Sequence, residues 1–428
     1  MPKRNVSVLS TLVLLVLLFL SVWGRGVGAV RAITGPSPVS DSPYLFGTLL
    51  TDPTHASKEY DAGIRIAHLE LGWNLYEPSE GDFDRAYIEQ MRQELDAFAA
   101  SGLRVVLGVG LQYPPTWAYE YPNSRYVDQF GIAADPLNLT FNQTLRNRAA
   151  TYIARVNQDL DLNRFWAVRV GSGGLVEALY PDDSRRGWEA SYWAFDEAAQ
   201  GRAPLPNSIP PAPYPGWHPG QLTYDGHAFS PAQADVWMDW YLGALIDGMN
   251  WQLDTYRNEG FTGYQQVLLP GVGTKPAEYD RAIASRLSGG TSRTLGRGAA
   301  WDHIIAGLRP ERNVVVYVSS MADGSGKNDE CQDGDSALEL VEPQIESWSA
   351  TRWIVYNARR AGLPTMGENP GRNDIPAVYG PALLDAATRQ MEACGMLGLM
   401  WAHSDDLYSG TAGLTLVDLA STIRRFNR

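Results

Sequence analysis

Residues Gly63–Val109 read GIRIAHLELGWNLYEPSEGDFDRAYIEQMRQELDAFAASGLRVVLGV. The first part, GIRIAHLEL over Gly63–Leu71, is a short apolar run bounded by glycine, which reads as a buried strand. A helix over Tyr87–Ser101 follows, with apolar residues at helical spacing, and Gly102 stops it. LRVVLGV, Leu103–Val109, is then a second buried strand. A strand, a helix and a strand in this order form a βαβ unit, and such units build parallel sheets.

The same alternation extends in both directions. Tyr44–Leu50 is a strand before the unit. After it come a helix at Leu145–Leu160, a strand at Phe165–Val170, a helix at Pro231–Glu259 and a strand at Tyr264–Leu269. Arg312–Ser319 is a strand, Glu346–Ala361 a helix, and Pro364–Gly367 a strand leading into Glu368. Pro381–Ala393, Met396–Ala402 and Leu416–Phe426 add a helix, the eighth strand and a last helix. Eight strands alternating with helices predict an α/β protein, a (β/α)8 TIM barrel with loop insertions. No Gly-x-Gly-x-x-Gly follows the first strand, so a dinucleotide-binding sheet has no motif behind it. Ala203–Gly220 is proline-rich and cannot be regular structure. As an insertion after the fourth strand it is expected beside the barrel mouth.

The chain has 428 residues and a formal net charge of −13, which excludes nucleic acid as the partner, since phosphate binding needs clustered Lys and Arg. Lys3 and Arg4 precede an apolar stretch from Val6 to Trp23, and small residues follow, with Val30 and Ala32 before a cut after Ala32. This is an export signal. The stretch is also long enough to span a bilayer, so residues 6–23 are read either as a cleaved signal or as a membrane anchor. Residues 1–32 are thus the targeting segment and 33–428 a single catalytic domain, secreted or extracytoplasmic. Cys331 and Cys394 have no Cys or His neighbour at metal-ligand spacing, so no metal site is expected, and export leaves a disulfide between them open.

The chemistry concentrates at strand ends. GSGGLVEALYP, Gly171–Pro181, carries Glu177 just past the fourth strand, and MGENPG, Met366–Gly371, places Glu368 at the end of the seventh. Two carboxylates delivered to one face of a barrel are the minimal equipment for cleaving a glycosidic bond. Glu177 and Glu368 are therefore the candidate catalytic pair, with Glu177 as the general acid. The chain holds 14 Trp and 21 Tyr. Most suit core packing, but several stand near strand ends, where rings can stack on sugars. Trp73, Tyr113, Trp117 and Trp401 are the candidate subsite aromatics, and Glu77, Tyr180, Asn369, His403 and Asp405 the further substrate contacts. No cofactor is required. The expected partner is an oligosaccharide or polysaccharide.

The string GIRIAHLELGWNLYEPSEGDFD, followed by a helix and GLRVVLGVGLQYPPTWAYEYP, resembles the second and third strands of the bacterial β-galactosidases of glycoside hydrolase clan A. Those enzymes share a Trp-x-x-x-Glu-Pro-x-x-Gly-x-Phe-Asp run after strand two and Pro-Pro-x-Trp after strand three. The resemblance implies an acid/base glutamate after strand four and a nucleophile after strand seven, which are Glu177 and Glu368 here. The clan carries Asn before its acid/base residue, whereas this chain has Val176. The zinc-binding cysteine cluster of many of those galactosidases is absent. Around the glutamates the chain is similar to β-amylases, which have Glu-x-x-Tyr-Pro and Gly-Glu-Asn. The implied function is an exported retaining β-glycosidase. The alternatives are an inverting β-amylase-like α-glucan hydrolase and a non-catalytic carbohydrate-binding barrel.

Overall fold

A computed structural model describes residues 44–183, 190–289, 293–322, 329–370, 380–410 and 413–426. Residues 1–32, expected to be the export segment, lie outside the described residues, as do Gly371 and its neighbour Arg372.

Numbering the barrel strands alone, β1 is Leu45–Thr48, β2 Ile66–Glu70, β3 Arg104–Gly108 and β4 Ala167–Val170. β5 is Tyr264–Leu269, β6 Val314–Val318, β7 Thr365–Glu368 and β8 Gly398–Trp401. Every pairing between neighbours is parallel, and β8 returns to β1, which closes the barrel. The expected (β/α)8 barrel is the observed fold.

The principal helices are α1 (Arg85–Ala100), α2 (Gln143–Leu160), α3 (Pro231–Asn258), α4 (Pro276–Ala284), α5 (Trp301–Gly307), α6 (Ala350–Arg360), α7 (Pro381–Ala393) and α8 (Leu416–Phe426). Their starts follow from side-chain caps. Asp84 accepts from the amides of Ala86 and Tyr87, Asn142 from Leu145, and Ser349 from Arg352. Ser230 and Gln233 make a reciprocal box ahead of Pro231, the first residue of α3. The helices α4 and α5 between β5 and β6 were not expected; both are short and carry few apolar repeats.

Side chains alternate along each strand between the barrel interior and the helix layer. Ile66, Val106, Ala167, Leu268, Val315, Tyr317, Met366 and Met400 form the inner cluster, and their neighbours in sequence pack outward against the helices. The proline-rich segment 203–220 has no helix or strand, as expected. It is held on the N-terminal half of α3, where Trp240 Nε1 donates to Pro210 O and Trp217 lies edge-on to Trp237. Cys331 and Cys394 are joined as a disulfide. Among the described residues no helix is long and apolar enough to cross a membrane.

Candidate active site

The alternation that fills the lower barrel with apolar side chains aims polar ones inward at the C-terminal ends. On β2, Ile66 is followed on the same face by His68 and Glu70. On β4, Ala167 is followed by Arg169; on β6, Val315 by Tyr317 and Ser319; on β7, Met366 by Glu368. These residues meet at the barrel mouth, the face where such barrels place their chemistry.

Glu368 is buried and its Oε2 lies 2.8 Å from Arg169 Nη2. The side chains of this pair are only 10% and 9% exposed. The Tyr317 phenol stands beside the same carboxyl, and the Arg169 guanidinium lies 5.4 Å from the Tyr317 ring. Burial pushes Glu368 up to about 7, and the charge of Glu177 adds to the rise; Arg169 and Tyr317 pull it back. Burial works against the charge of Arg169 too, but Glu368 and the acidic groups around it hold its proton more firmly than usual. Burial likewise drives the Tyr317 hydroxyl far up, so it stays a proton donor.

Glu177 sits on the loop after β4. That loop doubles back on itself: Ser172 N donates to Glu177 O at 3.0 Å and Ala178 N donates to Leu268 O of β5 at 2.8 Å. Gly171 permits the return, because a Cβ there would fall 2.4 Å from the Val176 carbonyl oxygen. The Glu177 side chain is half-buried, and its Oε1 accepts a hydrogen bond from Ser319 Oγ at the end of β6. Glu70 forms a third acidic point. Gln112 Nε2 donates to its Oε1 at 2.8 Å, and His68 Nε2 lies 3.1 Å from its Oε2. Burial opposes its charge, yet His68 and Arg169 together hold the carboxyl below its ordinary range. A small cleft opens here, lined by Glu70, Gln112, Arg169, Gly171 and Val176 among others.

The remaining expected contacts separate. Tyr113 stands at the rim of the mouth, 49% exposed. His403 is half-buried just past β8, with φ at +56°, and Asp405 is exposed in the first turn of the helix Asp405–Ser409. Trp73 is a correction: it is fully buried, stacked on Tyr152 at 5.2 Å, and its Nε1 donates to Glu77 Oε2 at 2.8 Å. Its ring is enclosed by protein on the faces a sugar would need. Glu77 is occupied as well, accepting from Gly81 N at 2.8 Å. Trp117 lies edge-on to Trp73 and donates to Glu77 O at 3.0 Å, so these three residues tie the loops after β2 and β3 together. Tyr180 is fully buried too, stacked on Tyr241 at 4.1 Å with its hydroxyl on Tyr241 O. Trp401 is 1% exposed and packs outward with Leu399. Asn369 Oδ1 accepts from Ala402 N at 2.7 Å and so joins the ends of β7 and β8. These buried residues shape the site from behind.

Arg169, Tyr317, Ser319 and His68 escaped the sequence reading. Their signal was available: inward parity in strands that otherwise alternate apolar residues. Among the described residues, no group of three or more His, Cys, Asp or Glu is arranged to hold a metal.

Residues 54–162 match the family described as Beta-galactosidase. The resemblance holds. It runs from Thr54, between β1 and β2, to just past α2 and so includes the β2 and β3 motifs. Over 73 residues the chain is 30% identical to the β-galactosidase BgaA of Clostridium cellulovorans, a stretch that is 17% of this chain and 11% of that protein. The chain therefore matches about a tenth of the length of that curated relative. Among solved structures, the catalytic domain of β-amylase from Paenibacillus polymyxa matches with a TM-score of 0.59 and 13% identity, covering 90% of this chain and 98% of that one. A β-galactosidase from the psychrophilic Marinomonas ef1 matches at 0.48 and 14%, covering 88% of this chain and 62% of that one. At such identities the β-amylase likeness speaks for the barrel.

Proposed function

We propose that this chain is a glycoside hydrolase of the β-glycosidase type, with Glu177 as acid/base and Glu368 as nucleophile. The observation that carries the reading is the pairing at the mouth: Glu368 ends β7 against Arg169, and Glu177, delivered after β4, lies near enough for its charge to act on Glu368. Glu177 protonates the oxygen of the leaving group. Glu368, ionised, bonds the anomeric carbon, and the carbon–oxygen bond to the leaving group breaks. Water, deprotonated by Glu177, then releases the sugar with its configuration retained. Arg169 keeps Glu368 available as an anion, and Ser319 fixes the Glu177 carboxyl. Water is the co-substrate. The β-galactosidase match over residues 54–162 supports a terminal β-galactoside as the first substrate to try.

A second reading is favoured by the segment around Glu177 and by Gly367–Asn369, which are similar to β-amylases. There Glu368 would activate water for inversion at an α-glucan. One experiment separates these. p-Nitrophenyl β-galactoside and maltopentaose are offered to the wild type and to Glu177→Gln and Glu368→Gln, and the first anomer released is read by proton NMR. Acid/base assistance contributes about 10²–10⁴-fold, so each variant should lose activity on that scale. The β-anomer from the galactoside supports retention; β-maltose from maltopentaose supports inversion. A Glu368→Gln protein of full activity would sink both mechanisms. Sugar binding without turnover in the wild type would leave a carbohydrate-binding barrel. Export is proposed with this function. The apolar segment 6–23 supports it, as does the Cys331–Cys394 disulfide, since such bridges persist in oxidising compartments.

A further inference from the structure

The loop after β6 leaves the barrel between the two candidate carboxylates and is fastened to α7 at several points. Met321 N donates to the backbone carbonyl of Glu368 at 2.7 Å. The Met321 side chain presses on β7, where a Cβ at Gly367 would fall 2.5 Å from its sulfur. The next residue, Ala322, holds φ at +52°, a region that L-residues with a Cβ sparsely populate. Something must hold it there. The Ala322 amide donates to Gln390 Oε1 at 2.8 Å, and Gln390 is 1% exposed. The other end of that amide, Nε2, donates to Asp329 O at 3.2 Å. Gln390 thus grips both the outgoing and the returning leg of the loop. The returning leg is anchored further by Glu330 on Arg389 at 3.0 Å and by the bond from Cys331 to Cys394. Cys394 follows the last turn of α7, and its amide bonds the carbonyl of Gln390.

We infer that Gln390, braced by the Cys331–Cys394 disulfide, is a positioning residue that sets the backbone of Glu368 through Ala322 and Met321. This rests on the reading of Glu368 as nucleophile. The physical argument is one of reach. The Glu368 side chain is held by Arg169 and faced by Tyr317, which fix its direction, but its carbonyl is held by the loop. A shift of that carbonyl moves the carboxyl relative to the anomeric carbon, and misplacement of about 1 Å at a reacting atom costs roughly 100-fold in rate. Gln390 bonds the two legs of the loop, at Ala322 and Asp329, rather than either candidate carboxylate, so its loss should be felt in kcat and spare KM.

The test uses the full chain and p-nitrophenyl β-galactoside, or maltopentaose if only that is cleaved. Gln390→Met keeps the volume and removes both hydrogen bonds. Gln390→Glu keeps the acceptor for the Ala322 amide. The brace predicts kcat about 10- to 100-fold lower in Gln390→Met with KM within about twofold, and a shifted pH limb for Glu368. Gln390→Glu should recover most of the rate. Reducing the wild-type disulfide well below its melting temperature should lower kcat in the same way, which keeps the question answerable if Gln390→Met does not fold. A Gln390→Met protein that melts earlier yet keeps its kcat and pH profile overturns the inference, as does full kcat after reduction. Glu368→Gln separates the two levels. If it is inactive while Gln390→Met is normal, the brace alone fails; if it is fully active, the reading of Glu368 fails.

Discussion

Replacing Arg169 by methionine removes the guanidinium from Glu368 and leaves an apolar stem in its place. The pair spans 2.8 Å, and its side chains are 9% and 10% exposed. Breaking a buried pair from one side costs about 3–5 kcal/mol when the other charge must stay. Glu368 can escape that cost by keeping its proton. Burial has already pushed its carboxyl up to about 7, with Arg169 the first of the groups pulling back. A neighbouring opposite charge lowers a carboxyl by about 1–3 units, so without it Glu368 should titrate at roughly 8–10. The ionised fraction at pH 7 then falls from about a half to between roughly 10% and 0.1%. A nucleophile works only as the anion, so kcat/KM at pH 7 should drop about 5- to 500-fold. The loss should be recovered at alkaline pH, because the raised carboxyl ionises there.

The assay is the pH profile of kcat/KM between pH 5 and 10 for wild type, Arg169→Met and Arg169→Lys. The wild-type profile should rise through about pH 7, that of Arg169→Met should rise later, and that of Arg169→Lys should fall between them. Stability gives an independent reading. A carboxyl whose folded pKa lies above its unfolded value contributes stability below the unfolded value and loses it as pH rises through the folded one. Arg169→Met should therefore melt close to wild type at pH 5 and earlier at pH 9. A profile that overlays the wild type would refute the electrostatic role. So would an equal loss at every pH, which belongs to misplacement.

Two further perturbations probe the corrected and the unused groups. Trp73→Ala should destabilise by about 3–5 kcal/mol in thermal or urea unfolding while KM stays within about twofold, because Trp73 is core; a weaker KM at unchanged stability would return it to the sugar site. Glu59 is buried behind β1, where Thr48 Oγ1 and Tyr408 Oη donate to it, and burial pushes its carboxyl up to about 7. Its stability contribution is present below about 4.5 and lost as pH rises through about 7. Glu59→Gln should therefore remove up to about 3 kcal/mol of the difference in stability between pH 5 and pH 8, and an unchanged difference would count against the shift.

The barrel was legible because parallel strands buried on both faces leave short apolar runs, and amphipathic helices between them leave a different period. β5, α7 and α8 fall on the residues read from the sequence. The short helices α4 and α5 did not announce themselves, since two turns carry too few apolar repeats to establish a period. At the site, Glu368 was visible as a strand-end glutamate beside glycine, and Glu177 as a glutamate in the glycine-rich loop after β4. Their partners went unread, because Arg169 and Tyr317 lie inside strands, where inward parity can place a polar side chain in the barrel but gives no hint of what it faces. Trp73 and Trp401 misled for the converse reason. A tryptophan near a strand end reads equally as platform or as packing, and only the location of its indole nitrogen and faces decides; for Trp73 the nitrogen is bound to Glu77 and one face to Tyr152.

The division of labour along the barrel axis follows from the same alternation. Ile66, Val106, Val315, Met366 and Met400 make the lower interior apolar and supply burial. One step further along the same faces, His68, Glu70, Arg169, Tyr317 and Glu368 replace them with groups that hydrocarbon packing would exclude, and Gln266 of β5 stands level with Val315. Arg169 Nε and Gln266 Oε1 are buried and find no hydrogen-bond partner among the described residues. Such atoms cost about 1–3 kcal/mol each when left so. A fold optimised for stability alone would fill this layer with apolar side chains. Its retention in a closed barrel is intelligible if polar ligand atoms complete the set in the working state, and Arg169 shows the arrangement: Nη2 holds Glu368 while Nε remains for a second acceptor. The Arg169→Met variant should then melt close to the wild type where Glu368 is protonated and earlier where it is ionised, and should regain its activity only at alkaline pH.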